Sequence, residues 1–262
     1  MAILPRPGEC FSCASKLCRF AHLGSAHAGQ HLIDLARGGR IESCAGACVK
    51  FWTVLNGTAA ICTALKDGRR QITGVERAGS TICGPMAHEE SPTWLEALEP
   101  SQICEIDLSG DIGLLQDDPA FMHMMFEAVH TRLEVATRHL STLGRLDSTE
   151  RVTLFLAETA ALTPGHGPVH LPMSREDIAD YLGLNAETVS RILSKLKKAG
   201  LFRFLSPTEY VVPDMAVVAR RLPVPIALKP HKPIAAVRAL SADAGAAPVA
   251  RCPVIHDTET AS

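Results

Sequence analysis

The sequence predicts an α+β chain in which a β jelly roll leads through one long helix into a C-terminal winged helix-turn-helix domain. Three observations predict it. Short apolar runs between about residues 41 and 108 are broken by turn signals that include Asn56-Gly57 and Asp67-Gly68, dipeptides favoured in tight hairpins. Apolar residues then recur in alternating steps of four and three from Met122 to Leu143, the seam of a helix that pairs with another helix. Finally, residues 173–193 contain two capped helical patterns around a glycine, as a helix-turn-helix requires.

The chain has 262 residues, room for two ordinary domains at roughly 100–200 residues each. It is 47% apolar and 21% charged, an ordinary soluble composition. A net charge of −2 gives no global sign of a nucleic-acid partner, so local charge must be examined. No uncharged apolar run reaches the ~18 residues of a membrane span. Met1–Glu9 lacks the apolar core of a secretion signal. The expected compartment is therefore the cytoplasm, with no membrane partner. Nine cysteines in a reducing compartment point to metal or redox chemistry rather than structural disulfides.

Residues 1–30 are rich in Cys, Gly, His and Ala and form a cysteine-rich segment without periodicity. Residues 31–118 are the jelly-roll sensor domain, with Val49–Leu55, Thr58–Leu65, Gln71–Val75 and Gln102–Leu108 reading as strands. Residues 119–145 form the long helix. Its seam is Met122, Phe126, Val129, Leu133, Ala136, Leu140 and Leu143, and a sustained 3.5-residue period predicts a homodimer. Residues 146–222 form the winged domain, opened by an N-cap at Asp147 or Ser148 and a helix over about Thr149–Leu162. Residues 223–262 carry Pro, Ala and isolated charges without an apolar period, the composition of a disordered tail.

The densest information lies in residues 173–193. Ser174 and Asp177 make a capping pair that opens a short helix, with Ile178, Ala179 and Leu182 as its buried face. Gly183 stops that helix, and Asn185 caps a second over about Ala186–Ala199. Val189, Leu193 and Leu196 face inward on it, while Glu187, Ser190, Arg191 and Lys195 face outward. In a major groove, arginine can pair bidentately with guanine and glutamate can accept from cytosine. Lys195, Lys197 and Lys198 suit backbone phosphates. Residues 186–200 carry four cations and one carboxylate, a local +3. Leu201–Leu205 and Glu209–Val212 then read as the hairpin wing.

Cys10, Cys13 and Cys18 form a C-x2-C-x4-C run, whose spacing lets one short loop present three thiolates to a metal or cluster. The fourth ligand is open at this point: Cys44, Cys48, Cys62, Cys83, Cys104, Cys252 or a histidine. The spacing also does not separate zinc from iron–sulfur. Cys62 and Cys83 sit in strand-like runs and suit inert packing. His22, His27 and His31 read as surface residues of a loop.

Over residues 10–222 these parts resemble the CRP/FNR superfamily of bacterial regulators, and its FNR branch in particular. The most specific stretch is Asp180-Tyr181-Leu182-Gly183-Leu184-Asn185-Ala186-Glu187-Thr188-Val189-Ser190-Arg191. Gln71-Ile72-Thr73-Gly74 before Ala78-Gly79-Ser80 is a second. Glu96 to Ile106 is a third, similar to the segment that bears the branch's internal cluster cysteine. The resemblance implies a [4Fe–4S] cluster on Cys10, Cys13, Cys18 and Cys104, lost to oxygen, and a dimer that binds DNA with the cluster intact. It implies that Glu187, Ser190 and Arg191 read a TTGAT-N4-ATCAA palindrome, and that RNA polymerase is a further partner. The C-x2-C-x4-C spacing departs from the C-x2-C-x5-C of the best-known member, and Cys44, Cys48, Cys62 and Cys83 have no role in the branch.

Other readings are weaker. A cyclic-nucleotide pocket would want an Arg-Ser pair where Glu89-Glu90-Ser91-Pro92-Thr93-Trp94 stands, and carboxylates repel a phosphate, so no cyclic nucleotide is expected. A regulator of the same fold sensing by thiol oxidation or zinc is the nearest alternative. An iron–sulfur electron carrier or enzyme lacks support. The chain shows no nucleotide-binding glycine loop, no His pair at catalytic spacing and no nucleophile signature.

Overall fold

Residues 29–42, 50–64, 66–83, 92–107, 117–163 and 167–226 are described by the computed structural model. They begin with strands β1 (Gly29–Leu35), β2 (Arg40–Glu42), β3 (Lys50–Asn56), β4 (Thr58–Ala64), β5 (Arg70–Arg77), β6 (Thr81–Cys83), β7 (Thr93–Ala97) and β8 (Ser101–Asp107). These pair antiparallel into two sheets of order β1-β8-β3-β6 and β2-β7-β4-β5. That interleaving is the expected jelly roll.

The two turn dipeptides behave differently. Asp67-Gly68 closes a hairpin, with Ala64 of β4 opposite Arg70 of β5. Asn56-Gly57 does not, which corrects the hairpin expectation: β3 and β4 lie in different sheets, and the turn carries the chain between them. Gly57 has φ +84°, and a Cβ there would collide with Ser101 Oγ and the Pro100 carbonyl. Thr58 N also donates to Ser101 Oγ at 3.2 Å. The bend is therefore held against the start of β8. β1, β2, β6 and β7 were not marked by apolar alternation, since β2 and β6 have three residues each and β1 mixes polar with apolar residues. His31 lies in β1 opposite Glu105, a strand position rather than the loop expected for it. Val49, Leu65 and Leu108 lie outside the described residues.

Alternation along the strands sends Trp52, Val54, Ile82 and Ile103 of one sheet against Ala59, Ile61 and Leu95 of the other, closed by Ile33, Leu35 and Ile41. Two nearly buried carboxylates are fully engaged, as burial demands. Glu105 accepts from Trp52 Nε1 at 2.7 Å and Lys50 Nζ at 2.9 Å. The Glu105 bond is the main cause holding the Lys50 ammonium above the ordinary lysine pKa. Glu96 accepts from Arg40 Nε, Arg70 Nη1 and Trp94 Nε1 at 2.8, 2.6 and 2.9 Å.

Helix α1 runs over Pro119–Arg145, the span that the seam predicts. The described residues pack as two compact units whose boundary falls inside α1, between Arg132 and Leu133. In the first unit, Arg132 Nη1 donates to Glu76 Oε1 of β5 at 2.7 Å. A Cβ at Gly74 would meet that guanidinium at 2.5 Å. Among the described residues no helix is long and apolar enough to cross a membrane.

The second unit contains α2 (Ser148–Leu162), β9 (Val169–His170), α3 (Arg175–Leu182), α4 (Ala186–Lys198), β10 (Arg203–Ser206), β11 (Glu209–Val211) and α5 (Met215–Ala219). Asp147 is the N-cap of α2, in a reciprocal capping box with Glu150. β10, β11 and β9 form a small antiparallel sheet. Tyr210 of β11 is fully buried and donates its hydroxyl to the Leu156 carbonyl at 2.6 Å, which fastens the wing to α2. The expected tail lies outside the described residues from 227 onward.

Candidate nucleic-acid interface

Each end of the two central helices is fixed by the residue that the sequence supplies there. Ser174 Oγ accepts from Asp177 N at 3.0 Å, and Asp177 Oδ2 accepts from Ser174 N at 2.9 Å, a capping box that satisfies two of the free N–H groups of α3. Gly183 ends α3 with φ 63° and ψ 42°, the left-handed conformation that glycine adopts without steric cost. Asn185 then caps α4, its Oδ1 accepting from Thr188 N at 2.7 Å.

Helix α4 is sharply two-faced. Val189, Ile192, Leu193 and Leu196 are buried, and Ile192 is one core position that the sequence reading left out. Glu187, Ser190, Arg191, Ser194, Lys195, Lys197 and Lys198 are exposed. Six of them (Glu187, Ser190, Arg191, Ser194, Lys195 and Lys198) line one shallow open groove. All four expected DNA contacts thus share a surface. Ser194 is the addition; it lies one turn beyond Ser190, so the helical step could have flagged it. Its hydroxyl donates to the Ser190 carbonyl at 2.9 Å.

The charges on this face are only loosely held. Arg191 Nε stands 3.8 Å from Glu187 Oε1, with both side chains mostly exposed. Such a pair contributes little and can be exchanged for other partners. At the C-terminal end Lys195, Lys197 and Lys198 cluster in the last turn, where cations also oppose the helix dipole. A carboxylate and a guanidinium near the N-terminal end, followed by a basic C-terminal end, match base contact followed by phosphate contact.

The Crp-like helix-turn-helix domain family matches residues 150–221. A nitrogen fixation regulation protein, FixK, of Bradyrhizobium diazoefficiens is 31% identical over 191 residues, covering 71% of this chain and 78% of that protein. The chain belongs to the CRP/FNR family of transcription regulators. The transcriptional activator protein FnrL of Cereibacter sphaeroides is 29% identical over 172 residues, covering 63% of this chain and 69% of that protein. The solved structure of FixK2 from Bradyrhizobium japonicum superposes with a TM-score of 0.67 at 27% identity, over 75% of this chain and 98% of that one. As a CRP/FNR regulator the chain is a DNA-binding protein and not an enzyme.

The other expected site residues divide. In α1, Met122, Phe126, Val129, Leu133 and Leu140 are exposed, at 48%, 62%, 55%, 62% and 68%. Ala136 and Leu143 of the same seam are half-buried. Cys10, Cys13 and Cys18 lie outside the described residues, as do Cys44, Cys48, Cys252 and Glu89-Glu90-Ser91. Cys104 lies in β8 between Leu32 of β1 and Thr53 of β3. Its neighbour Ile103 belongs to the inter-sheet core, so alternation turns Cys104 to the opposite face of that sheet. Cys62 is buried and Cys83 half-buried, in keeping with the packing role expected of them.

Proposed function

We propose that the chain is a homodimeric regulator that reads a TTGAT-N4-ATCAA-like palindrome and responds to oxygen through a [4Fe–4S] cluster on Cys10, Cys13, Cys18 and Cys104. The observation that carries the dimer is the row of five large apolar side chains of α1, all more than two-fifths exposed. An apolar stripe at heptad spacing is stable in water when a second helix covers it. Two copies of the α4 face then address two half-sites. Glu187, Ser190 and Arg191 read the bases, and Lys195 holds the phosphate backbone. RNA polymerase is the further partner this role implies.

The position of Cys104 supports the cluster reading. It lies on the face of its sheet opposite the inter-sheet cluster, where it is buried, on the strand paired to β1, and β1 is the strand next after the cysteine-rich segment. Gly29 pairs with Asp107, about 10 Å along β8 from Cys104 at roughly 3.3 Å per residue. The chain between Cys18 and Gly29 reaches up to about 3.5 Å per residue, enough to return to Cys104. A thiolate-held cluster supplies a group that oxygen converts or destroys. The chain's own residues contribute a tether between the N-terminal segment and the sandwich, and losing it frees the segment.

Protein purified without oxygen should be brown and contain iron and acid-labile sulfide in equal amounts, and air should bleach it and weaken palindrome binding. Cys104→Ser should remove both the colour and the oxygen response. A colourless, iron-free protein that still loses DNA binding in air, and regains it with thiol reductant, would replace the cluster with thiol oxidation. Zinc in place of iron would do the same for a zinc site.

A further inference from the structure

We infer that Arg151 is a positioning residue that fixes the angle between the DNA-reading helices and the long helix, and so sets the half-site spacing the protein accepts. Helix ends leave their last carbonyls without intrahelical donors. Two such ends converge on one guanidinium. Arg151 Nη2 donates to the Leu143 carbonyl at 2.7 Å and Nε to the Leu146 carbonyl at 3.0 Å, both at the end of α1. Its Nη1 donates to the Leu182 carbonyl, the last residue of α3, at 3.1 Å. Arg151 itself belongs to α2. A single planar fork therefore ties three helices, and its charge faces the negative ends of two helix dipoles.

The surroundings show that the angle, not only the contact, is held. Between α1 and α2 lie only Leu146 and Asp147, and Leu146 is buried. Gly183, where the chain turns into α4, lies against the same group: a Cβ there would be 3.8 Å from Arg151 Nη1 and from Leu143 Cδ2. A second, apolar tie runs parallel to the polar one. The His139 ring of α1 stacks on Tyr181 of α3 at 4.3 Å between centroids and 16° between planes. Phe155 of α2 also meets Tyr181, with ring centroids 5.6 Å apart and 58° between the planes. Two ties at separate points block rotation, where one would leave a pivot. α4 follows α3 after three residues, so Glu187, Ser190 and Arg191 inherit the orientation that Arg151 sets. Arg151 is not among the residues of the DNA-facing groove.

This inference rests on the reading of two half-sites by two copies of the chain. The test uses the full-length protein with Arg151→Lys and Arg151→Gln. Lysine keeps the charge but has no fork to span three carbonyls. Binding is measured on the palindrome, on the same half-sites moved apart or together by one base pair, and on a single half-site. The wild type should discriminate against the altered spacings by about tenfold or more, and both variants by only about two- to threefold, with half-site binding unchanged. Variants that keep the wild-type spacing discrimination overturn the role of Arg151 alone. A matching loss on half-site and palindrome also overturns it, because Arg151 would then only hold the fold. A wild type indifferent to spacing overturns the two-half-site reading, and this inference with it.

Discussion

Arg191 and Lys195 stand one turn apart on the exposed face of α4, yet each should affect a duplex differently. A guanidinium can bond two acceptors of one guanine, which discriminates between bases by about 1–3 kcal/mol. An ammonium acts as a point charge on phosphate, where all sequences are alike. Arg191→Ala should therefore weaken binding by about that amount per half-site, about twice it for a dimer on the palindrome, and barely change binding to unrelated DNA. Lys195→Ala should weaken both by the same factor and reduce the salt slope by about 1 per chain. Fluorescence anisotropy on matched and scrambled duplexes, repeated across a salt series, separates the two. If Arg191→Ala cost as much on scrambled DNA, its contact would be with phosphate and the base-reading role would pass elsewhere on the groove. The same residue scale shows what could be read in advance. Glu187, Ser190, Arg191 and Lys195 were legible because a capped amphipathic helix fixes its own outward face. Arg151 was not legible, because its three acceptors come from Leu143, Leu146 and Leu182, and nothing local in the sequence brings those ends together.

At the scale of elements, the ends of helices were legible where a side chain makes the signal. The Ser174–Asp177 box and the Gly183 turn formed where their residue types require. Removing the cap with Ser174→Ala should cost about 1 kcal/mol, range ~0.5–2, seen as a lower denaturation midpoint with an unchanged slope. Strands were less legible, because a strand is completed by partners elsewhere in the chain. Asn56-Gly57 and Asp67-Gly68 have nearly the same glycine φ, +84° in both, yet only the second closes a hairpin. The difference lies in what each turn meets, Ser101 and Pro100 in one case and open space in the other. The span of α1 and the exposure of Met122, Phe126, Val129, Leu133 and Leu140 along it were legible because heptad spacing is a property of one helix alone, whereas Ala136 and Leu143 of the same row are half-buried. Its consequence is direct. Leu133 is 62% exposed in the single chain, so Leu133→Asp should leave that chain's fold intact while placing two facing carboxylates in the seam of the proposed dimer. Sedimentation velocity should show the wild type at twice the mass of the variant, with circular dichroism the same for both. A variant that stays dimeric would mean that the contact lies away from this seam.

For the molecule as a whole, charge and oligomeric state combine in one measurable number. The chain carries net −2, so its overall field does not draw it to DNA, and on the proposed reading the attraction comes from the local +3 of residues 186–200. Each phosphate neutralised releases counterions and adds about −0.9 to the slope of log affinity against log salt. If Lys195, Lys197 and Lys198 of both chains in a dimer hold phosphates, about six contacts give a slope near −5. A single chain holding the same three gives about half of that. Leu133→Asp should thus do more than weaken binding: its salt slope should fall to about half the wild-type value, because contacts vanish in whole sets. Lys195→Ala in the dimer should instead remove a contact from each chain, lowering the slope by about 2 and leaving a dimer. Titrating both variants and the wild type at several salt concentrations, at protein levels where sedimentation has fixed the oligomeric state, distinguishes loss of a partner from loss of a contact. Equal slopes for the wild type and Leu133→Asp would mean that one chain makes every phosphate contact, and the seam would then need another purpose.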